Sequence, residues 1–447
     1  MLGHYGDKMR KRILIKGPVL SRSGYGEQAR FALRSIREYE DRFDIYLVPT
    51  GWGQLSWTWE DTEERRWIDS IIEKTSIFEQ QTAQLPSNQK YDVSLQVTIP
   101  NEWDKSLAVY NVGYTAGIET DRVSPVWIQK CMEMDKIIVV SNHAKDVFYG
   151  TSYKMQNNQG AIVGELQLDE ENPTHPEITV VNYPVKESDA VKFNHKFDTK
   201  FNFLTMAQWG PRKNLEATIG WFAEAFKDNE DVGLIVKAST KNTSIIDREY
   251  TKDRLTSLMN SDRLKDSKCK IYLLHGDMTE EEINGLYKHS SVKAFINLAH
   301  GEGFGLPMFE AAYHKVPVVA MGWSGHVDFL YAPEKGKKSK KSKKKTIPYF
   351  AKVNHKMGQV QPQAVWDGVI QADSLWAYPI EDSYKNVLKD VYENHKDYKK
   401  IANELDRYLR AKFTNANQYK QFADAVYKEE NFDVENWLDS LGEEVFE

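Results

Sequence analysis

The stretch HGEGFGLPMFE, residues 300–310, constrains the fold more than any other part of the chain. The apolar run at residues 293–298 is typical of a buried strand, and Pro307 suits the first position of a helix, where an N–H is not needed. Gly303 and Gly305 permit backbone angles that other residues resist, and they let a ligand approach closely. The stretch therefore predicts a buried strand, a tight turn and a helix that begins at Pro307.

Two carboxylates flank this turn. Glu302 precedes it, and Glu310 lies one turn inside the predicted helix (residues 307–314), with seven residues between the two. Free N–H groups at the start of a helix form an anion site that suits phosphate, and carboxylates accept hydrogen bonds from hydroxyls. Phosphate at the centre with hydroxyls at both ends describes a nucleotide sugar. An ordinary turn without a ligand is the alternative interpretation.

The beginning of the chain also indicates an open α/β sheet. A short apolar strand at residues 13–15 leads into a glycine-bearing loop that contains Gly24, Tyr25 and Gly26, and a helix follows from Gln28. Ligands of such sheets bind at the carboxyl ends of the strands. This loop is therefore a candidate ligand site, and a plain strand-to-helix turn is the alternative.

The second half repeats the arrangement of strand, loop and helix. An apolar strand at residues 201–207 precedes a loop that ends in Arg212 and Lys213. Apolar residues then follow at the spacing of one helix face; they are Leu215, Ile219, Phe222 and Phe226. We expect Arg212 and Lys213 to lie at the same edge as the glycine-rich turn, where two cations can neutralise a departing diphosphate.

Length and composition narrow the class of protein. A chain of 447 residues predicts about two to three domains. Two cysteines provide neither a disulfide framework nor a metal site, and we expect no metal requirement because a fitting Asp-x-Asp signature is missing. The chain has no apolar leader and no apolar run of about 20 residues, so we expect a cytoplasmic protein without a transmembrane segment.

Two local features remain open. Residues 335–345 contain eight lysines within a chain whose net charge is −6, and such blocks are normally flexible and solvated. An anionic partner, either nucleic acid or a membrane surface, is the alternative for this block.

Trp52, Trp57 and Trp59 lie in one loop, where they either stack on an acceptor sugar or pack within the protein. The polar residues 153–177 lack periodicity, which predicts an inserted loop.

The stretch at residues 300–310 resembles the Glu-x7-Glu signature of retaining GT-B glycosyltransferases, of the family 4 (group 1) type. The strand at residues 316–320 and the loop at residues 322–328 also resemble this family, although the loop departs from its Gly-Gly-x-x-Glu turn by carrying His326 and Asp328. Residues 111–122, which include the run ETDR, are similar to members encoded by phages and large viruses.

The resemblance implies a fold of class α/β: GT-B, two Rossmann-like domains facing across a cleft. It places an acceptor-side domain at residues 1–183 and a nucleotide-sugar domain at residues 184–419, with residues 420–447 packing back on the first domain. The activity it implies is the transfer of a sugar, with retention, from a UDP-sugar to an acceptor hydroxyl. The acceptor is a glycan or a modified base of phage DNA, and the location would then be the host cytoplasm.

The resemblance also assigns roles to residues. Glu302 holds sugar hydroxyls and Glu310 the ribose, while the loop of Glu119 lies at the donor sugar and acceptor. The catalytic residues that it implies are Glu119, Arg212, Lys213 and Glu302. The donor-binding residues that it implies are Gly24, Tyr25, Gly26, Thr120, His275, Gly303, Phe304, Gly305, Leu306 and Glu310. The family has its Arg several residues before its Lys, whereas here the two are adjacent; for Glu119, a surface ion pair with Arg122 is the alternative.

Two other functions fit parts of the sequence. A GT-B nucleotide-sugar epimerase would use the same donor without an acceptor. A non-enzymatic nucleic-acid-binding protein would use the lysine block at residues 335–345 and would show strongly salt-dependent binding. The sequence leaves the sugar, the acceptor and the oligomeric state open.

Overall fold

The computed structural model describes residues 10–186, 189–334 and 345–428. The lysine block predicted at residues 335–345 lies outside the described residues except for Lys345, as does most of the predicted terminal segment 420–447. Within the described ranges, no helix combines the length and apolar character that crossing a membrane requires.

The first half of the chain folds around a sheet of six parallel strands in the order β2-β1-β3-β4-β5-β8. The strands are β1 (Lys11–Gly17), β2 (Phe43–Pro49), β3 (Val93–Val97), β4 (Tyr110–Thr115), β5 (Lys136–Val139), β6 (Ser152–Gln156), β7 (Ile162–Gln167) and β8 (Glu177–Val180). The helices are α1 (Gly24–Arg37), α2 (Glu63–Gln81), α3 (Ser87–Lys90), α4 (Pro125–Met132) and α5 (Asn142–Gly150). A 3₁₀ turn spans Pro100–Glu102.

The second half contains another parallel six-stranded sheet, in the order β11-β10-β9-β12-β13-β16. The strands of this half, including the separate pairs β14-β15 and β17-β18, are β9 (Phe201–Gln208), β10 (Val232–Ser239), β11 (Lys270–Leu274), β12 (Val292–Asn297), β13 (Val318–Met321), β14 (Tyr331–Pro333), β15 (Thr346–Pro348), β16 (Ala351–Val353), β17 (His355–Gln359) and β18 (Leu375–Pro379). The helices are α6 (Leu215–Ala225), α7 (Ile245–Met259), α8 (Glu280–Tyr287), α9 (Leu306–Tyr313), α10 (Val327–Leu330), α11 (Glu381–Glu393), α12 (His395–Lys412) and α13 (Asn415–Val426). Short 3₁₀ turns span Pro211–Lys213 and Pro362–Ala364.

The order of the second sheet places its functional loops. The sheet extends in one direction from β9 through β10 to β11, and in the other direction from β9 to β12. The topological switch point of the sheet therefore lies between β9 and β12. The loops after these two strands therefore leave the sheet side by side, and open α/β sheets bind ligands in the crevice at such a point. The loop after β9 carries Arg212 and Lys213, and the loop after β12 carries Glu302.

The two halves share buried contacts. Helix α13, near the end of the described chain, packs on α1 of the first half, where the rings of Phe31 and Phe422 lie 5.1 Å apart. The connection between the sheets also contributes, since the rings of Tyr183 and Phe304 lie 5.0 Å apart. The domain boundary predicted at residues 183–184 lies between the last strand of one sheet and the first strand of the other.

The prediction of an inserted loop at residues 153–177 is wrong, because much of this segment forms the antiparallel hairpin of β6 and β7. Its pairing is invisible in the hydrophobic pattern since both faces of the hairpin are largely exposed. Ile162 and Val163, for example, expose 60% and 62% of their surfaces. Hydrophobic periodicity signals a strand only where one face is buried.

Candidate functional site

The glycine-rich turn has the predicted architecture. Strand β12 ends at Asn297, and α9 begins at Leu306 with Pro307 in its first turn. Gly305 adopts a φ of 91°, a left-handed conformation that favours glycine. Gly301 lies so close to the first domain that an added Cβ would be 2.0 Å from the backbone oxygen of Glu119. The turn is therefore in direct backbone contact with the opposite domain.

Glu302 lies buried at the centre of a polar cluster, with only 6% of its surface exposed. Its carboxylate accepts hydrogen bonds from Lys213 Nζ at 2.6 Å, Arg212 Nη1 at 3.2 Å and Asn297 Nδ2 at 3.1 Å. Burial by itself raises the pKa of Glu302, but the charges of Lys213 and Arg212 outweigh it and lower the pKa to about 2. The carboxylate is therefore ionised at neutral pH, and in this form both of its oxygens only accept hydrogen bonds, for example from hydroxyls.

Arg212 connects the two domains. Its guanidinium donates to the backbone oxygen of Gly301 at 2.9 Å and contacts Glu302, and its Nη2 lies 3.2 Å from Glu119 Oε1 of the first domain. Burial opposes the charge of Arg212, yet Glu119 and Glu302 raise its pKa. For Lys213, burial and the neighbouring Arg212 lower the pKa, and Glu302 opposes this shift. Two cations and two carboxylates thus balance each other at the crevice.

The loop of residues 119–122 does not form the surface ion pair considered from the sequence. Arg122 pairs with Asp373 of the second domain, whereas Glu119 pairs with Arg212, so that alternative is wrong. The hydroxyl of Thr120 is buried and donates to the backbone oxygen of Arg122 at 2.9 Å, which holds the loop in shape. The loop therefore presents Glu119 to the second domain.

Glu310 has a different environment on the other side of the turn. It lies with Leu306, Tyr183 and Lys186 around a small cavity between α9, α1 and the interdomain connection. Tyr287 donates a hydrogen bond to Glu310 Oε2 at 3.2 Å. Burial raises the pKa of Glu310 from 4.5 to about 7. The carboxyl is therefore partly protonated at neutral pH in the absence of a ligand.

The loop after β1 lies beside the same turn. Gly24, Tyr25 and Gly26 begin α1, and Ser23 caps this helix by accepting from the backbone N–H of Gly26 at 2.9 Å. The hydroxyl of Tyr25 lies 2.9 Å from Thr115 Oγ1 and accepts from the backbone N–H of Ala116 at 3.3 Å. Burial raises the pKa of Tyr25.

That contact brings Tyr25 close to the glycine-rich turn. An added Cβ at Gly303 would lie 2.6 Å from the backbone oxygen of Ala116, which is the residue that Tyr25 holds. The structure therefore brings Gly24, Tyr25, Gly26, Glu119 and Thr120 to one side of the cleft, against residues 301–306 on the other side. Phe304 is buried beside Tyr183 in the connection between the domains.

His275 follows β11 at another end of the cleft and is paired with Asp247, with 2.8 Å between His275 Nε2 and Asp247 Oδ2. The next loop residues reach the first domain, because Asp277 accepts from Ser56 Oγ at 2.8 Å and Arg22 donates to the backbone oxygen of Met278 at 3.2 Å. His275 is therefore held by its own domain, next to a closed contact between the domains.

The loop that contains Ser56 is the tryptophan-bearing loop. Trp52 packs on Tyr25 with ring centroids 4.2 Å apart, whereas Trp57 and Trp59 expose 53% and 72% of their surfaces. In α10, which follows β13, Asp328 accepts from the backbone N–H of Asn142 at 2.8 Å and from Asn182 Nδ2 at 3.0 Å. Asp328 thus connects the second domain to the start of α5.

Sequence reasoning missed several residues that hold the carboxylates. Asn297 and Ser324 position Glu302, since Ser324 Oγ accepts from the backbone N–H of Glu302 at 3.0 Å. A polar residue at the end of a buried strand, directly before the turn, was the available signal for Asn297. Tyr287 lies in a separate helix, and the sequence gives no sign that it contacts Glu310. Among the described residues there is no cluster of three or more His, Cys, Asp or Glu suited to a metal ion.

No family model matches the chain, and no curated protein matches it. Several solved structures do match the chain in fold. Sucrose-phosphate synthase from Thermosynechococcus elongatus has a TM-score of 0.57 at 11% identity over 93% of this chain and 98% of that one. TarM has 0.54 at 12% identity, over 94% and 100% of the two chains. Anabaena HepE, solved in complex with UDP-glucose, has 0.52 at 12% identity, over 93% and 99%.

For two further structures, a variant of S. aureus TarM and the pneumococcal O-GlcNAc transferase GtfA, this chain spans 58% of their length. At identities of 11–12% the likeness establishes the fold. The chain has the GT-B fold, with two Rossmann-like domains facing each other across a cleft. The fold predicted from the sequence is thereby confirmed.

Proposed function

We propose that this protein is a retaining glycosyltransferase that moves a sugar from a UDP-sugar to an acceptor hydroxyl. The observation that carries the proposal is the cluster of Glu302, Arg212 and Lys213 at the crevice of the second sheet, next to the start of α9. An ionised carboxylate suits sugar hydroxyls, and two cations beside a helix start suit a diphosphate. A structural neighbour of the same fold, HepE, was solved in complex with UDP-glucose.

The donor would rearrange the cluster when it binds. Arg212 and Lys213 are now neutralised by Glu302 and Glu119. A diphosphate offers the two cations stronger, partly bidentate hydrogen bonds, and thereby leaves Glu302 free to accept from hydroxyls of the sugar. On the opposite side of the turn, Glu310 would accept from the ribose. Gly24, Tyr25 and Gly26 would cover the donor, and the loop of His275 would contact the base.

In the proposed reaction, the bond between the sugar C1 and the diphosphate oxygen breaks, and the electron pair leaves with the diphosphate. The acceptor oxygen bonds to C1 on the same face, and its proton passes to an oxygen of the departing phosphate. Arg212, Lys213 and the backbone N–H groups near Gly305 stabilise the charge that develops on the diphosphate. The reaction needs neither a protein nucleophile nor a metal ion. The family 4 assignment, the similarity to phage enzymes and the cytoplasmic location stay predictions of the sequence.

The first test is thermal unfolding with UDP, GDP, ADP and their common sugars, added one at a time. We expect UDP and a UDP-sugar to stabilise the native state, by about 2.7 kcal/mol at a concentration 100 times the Kd. A variant with Lys213→Ala should lose most of this shift, because it lacks a cation of the cluster. If none of these nucleotides shifts the transition of the wild-type protein, the proposal is wrong. Release of UDP during turnover distinguishes transfer from epimerisation.

A further inference from the structure

One segment of the second domain reaches across the cleft and contacts the first domain. It consists of residues 360–374, between β17 and β18, and is here named the strap. The backbone oxygen of Gly368 accepts from Ser124 Oγ at 2.7 Å and from Asn101 Nδ2 at 3.2 Å, both in the first domain. Val369 is 5% exposed and packs in the apolar core of that domain. The strap is therefore fixed on both sides of the cleft.

The strap also borders the residues of the proposed site. Its 3₁₀ turn, Pro362–Ala364, packs against the 3₁₀ turn Pro211–Lys213, which carries both cations. Gln361 Nε2 lies 3.2 Å from Nε2 of His300, the residue just before Gly301. The strap thus forms a wall of the cleft next to the cluster of Glu302.

The tip of the strap exposes a large aromatic ring on an ordered backbone. Trp366 and Ile370 exchange backbone hydrogen bonds of 3.1 and 2.8 Å, yet Trp366 exposes 53% of its surface. Val365, beside it, exposes 39%. Tryptophan contributes much free energy when its surface is buried, it is enriched at binding interfaces, and loops on a rigid scaffold often carry binding residues. The ring is therefore available to a ligand in the cleft.

The charges around Trp366 indicate the chemistry of that ligand. The strap, VQPQAVWDGVIQADS, contains no lysine or arginine; of its two aspartates, Asp373 is neutralised by Arg122 of the first domain, whereas Asp367 is exposed. Asp121 of the first domain also lies at the strap, where its carboxylate accepts from the backbone N–H of Leu375 at 2.7 Å. Nucleic acids need cations at their phosphates, whereas sugar hydroxyls donate to carboxylates. The surface therefore suits a neutral carbohydrate and disfavours nucleic acid.

We propose that Trp366 and Asp367 form an acceptor subsite for a neutral oligosaccharide. The indole ring stacks on the face of a sugar unit, and the carboxylate of Asp367 accepts from its hydroxyls. The subsite rests on the proposed transferase function, and it selects a glycan over a DNA base as the acceptor. It holds the acceptor from the second domain, in addition to any contact with the first.

The test compares two substitutions of exposed aromatic residues, Trp366→Ala and the control Tyr250→Ala. Tyr250 exposes 58% of its surface, close to the 53% of Trp366, and lies in α7. An array of neutral and charged glycans, together with single-stranded DNA oligonucleotides, identifies the acceptor of the wild-type enzyme. We expect Trp366→Ala to raise the KM for this acceptor about tenfold, equivalent to about 1.4 kcal/mol, with a much smaller change in kcat. Tyr250→Ala should leave both constants as they are.

Two further measurements complete the test. Trp366→Phe keeps a stacking face and should recover most of the loss in KM. Stabilisation of all three variants by UDP establishes that they are folded. The subsite is wrong if the array yields only DNA or charged acceptors, if it yields no acceptor for an enzyme that binds UDP, or if Trp366→Ala and Tyr250→Ala have equal effects on KM. Failure of the wild-type protein to bind any nucleotide would instead contradict the proposed function.

Discussion

Glu302 and Glu310 lie on either side of one short turn, and their pKa values are shifted in opposite directions. Both are largely removed from water, which by itself raises the pKa of a carboxyl. For Glu302 the charges of Lys213 and Arg212 outweigh burial and lower the pKa to about 2. For Glu310 burial prevails and raises the pKa to about 7, because the nearby Lys186 is shared with Glu27 and Glu280, whose negative charges also oppose the ionisation of Glu310.

The comparison shows that neighbouring residues determine the charge state of each carboxyl group within one motif. The carboxylate of Glu302 is neutralised by fixed cations, so its charge persists over the whole physiological range of pH. The carboxyl of Glu310 is neutralised by a proton, so its charge depends on pH and on what binds beside it. A ligand must therefore compete with cations at one end of the turn, and must release a proton at the other.

Replacing Glu302 should have the largest effect. The change Glu302→Gln removes the buried countercharge of Lys213 and Arg212, and breaking a buried pair destabilises proteins by about 3–5 kcal/mol. We expect a loss of about 3 kcal/mol in the free energy of unfolding at pH 7, and about a hundredfold lower turnover if the proposed function holds. Urea denaturation and donor turnover measure the two effects. A change in stability below about 0.5 kcal/mol would contradict the role of the ion pairs.

Replacing Glu310 should increase the free energy of unfolding, which is the opposite of the effect at Glu302. Its folded pKa lies above its unfolded value of 4.5, so the folded state binds more protons and stability falls as pH rises from 4.5 to about 7. The change Glu310→Gln removes this loss. We expect the variant to be about 2 kcal/mol more stable than the wild type at pH 8, and nearly equal to it at pH 4.5. Urea denaturation at both pH values measures this, and a less stable variant at pH 8 would refute the assignment.

The smallest effect concerns the affinity for UDP. A ribose hydroxyl that donates to Glu310 favours the ionised carboxylate, so binding lowers its pKa and releases a proton. With a pKa of about 7 in the free protein, we expect UDP to bind about tenfold more tightly at pH 8 than at pH 6. Isothermal titration in buffers of different ionisation enthalpy measures affinity and proton release together.

The variant Glu310→Gln is the control for this experiment, because the phosphate of UDP titrates in the same range. The variant should retain the pH dependence that belongs to the phosphate and lose the part that belongs to Glu310. Identical pH profiles of the wild type and the variant would show that the ribose does not contact this carboxyl.

The sequence predicts local structure and the elements that carry the site. The strand before Glu302, the turn and the helix after it follow from apolar runs, glycines and Pro307. Parallel strands place their carboxyl ends at one edge, which explains why Arg212 and Lys213 could be expected near the turn. Their contacts with Glu302 bear this out.

Contacts that depend on the packing of whole domains could not be predicted in this way. The pair of Arg212 and Glu119 joins two domains, and the hydrogen bond of Tyr287 to Glu310 joins two separate helices. The strap reads as an ordinary polar connection until its Val369 is seen within the core of the other domain. Periodicity describes how a segment buries one face, and it contains no information on which distant segment supplies the partner.

Gly301 sets the spacing of the two domains through their main chains. The backbone of Glu119 occupies the space that any side chain at position 301 would need. A side chain at position 301 would therefore force the two main chains apart at this point and widen the entrance to the cleft, so the closeness of the two walls depends on a residue that contributes no side chain to either of them.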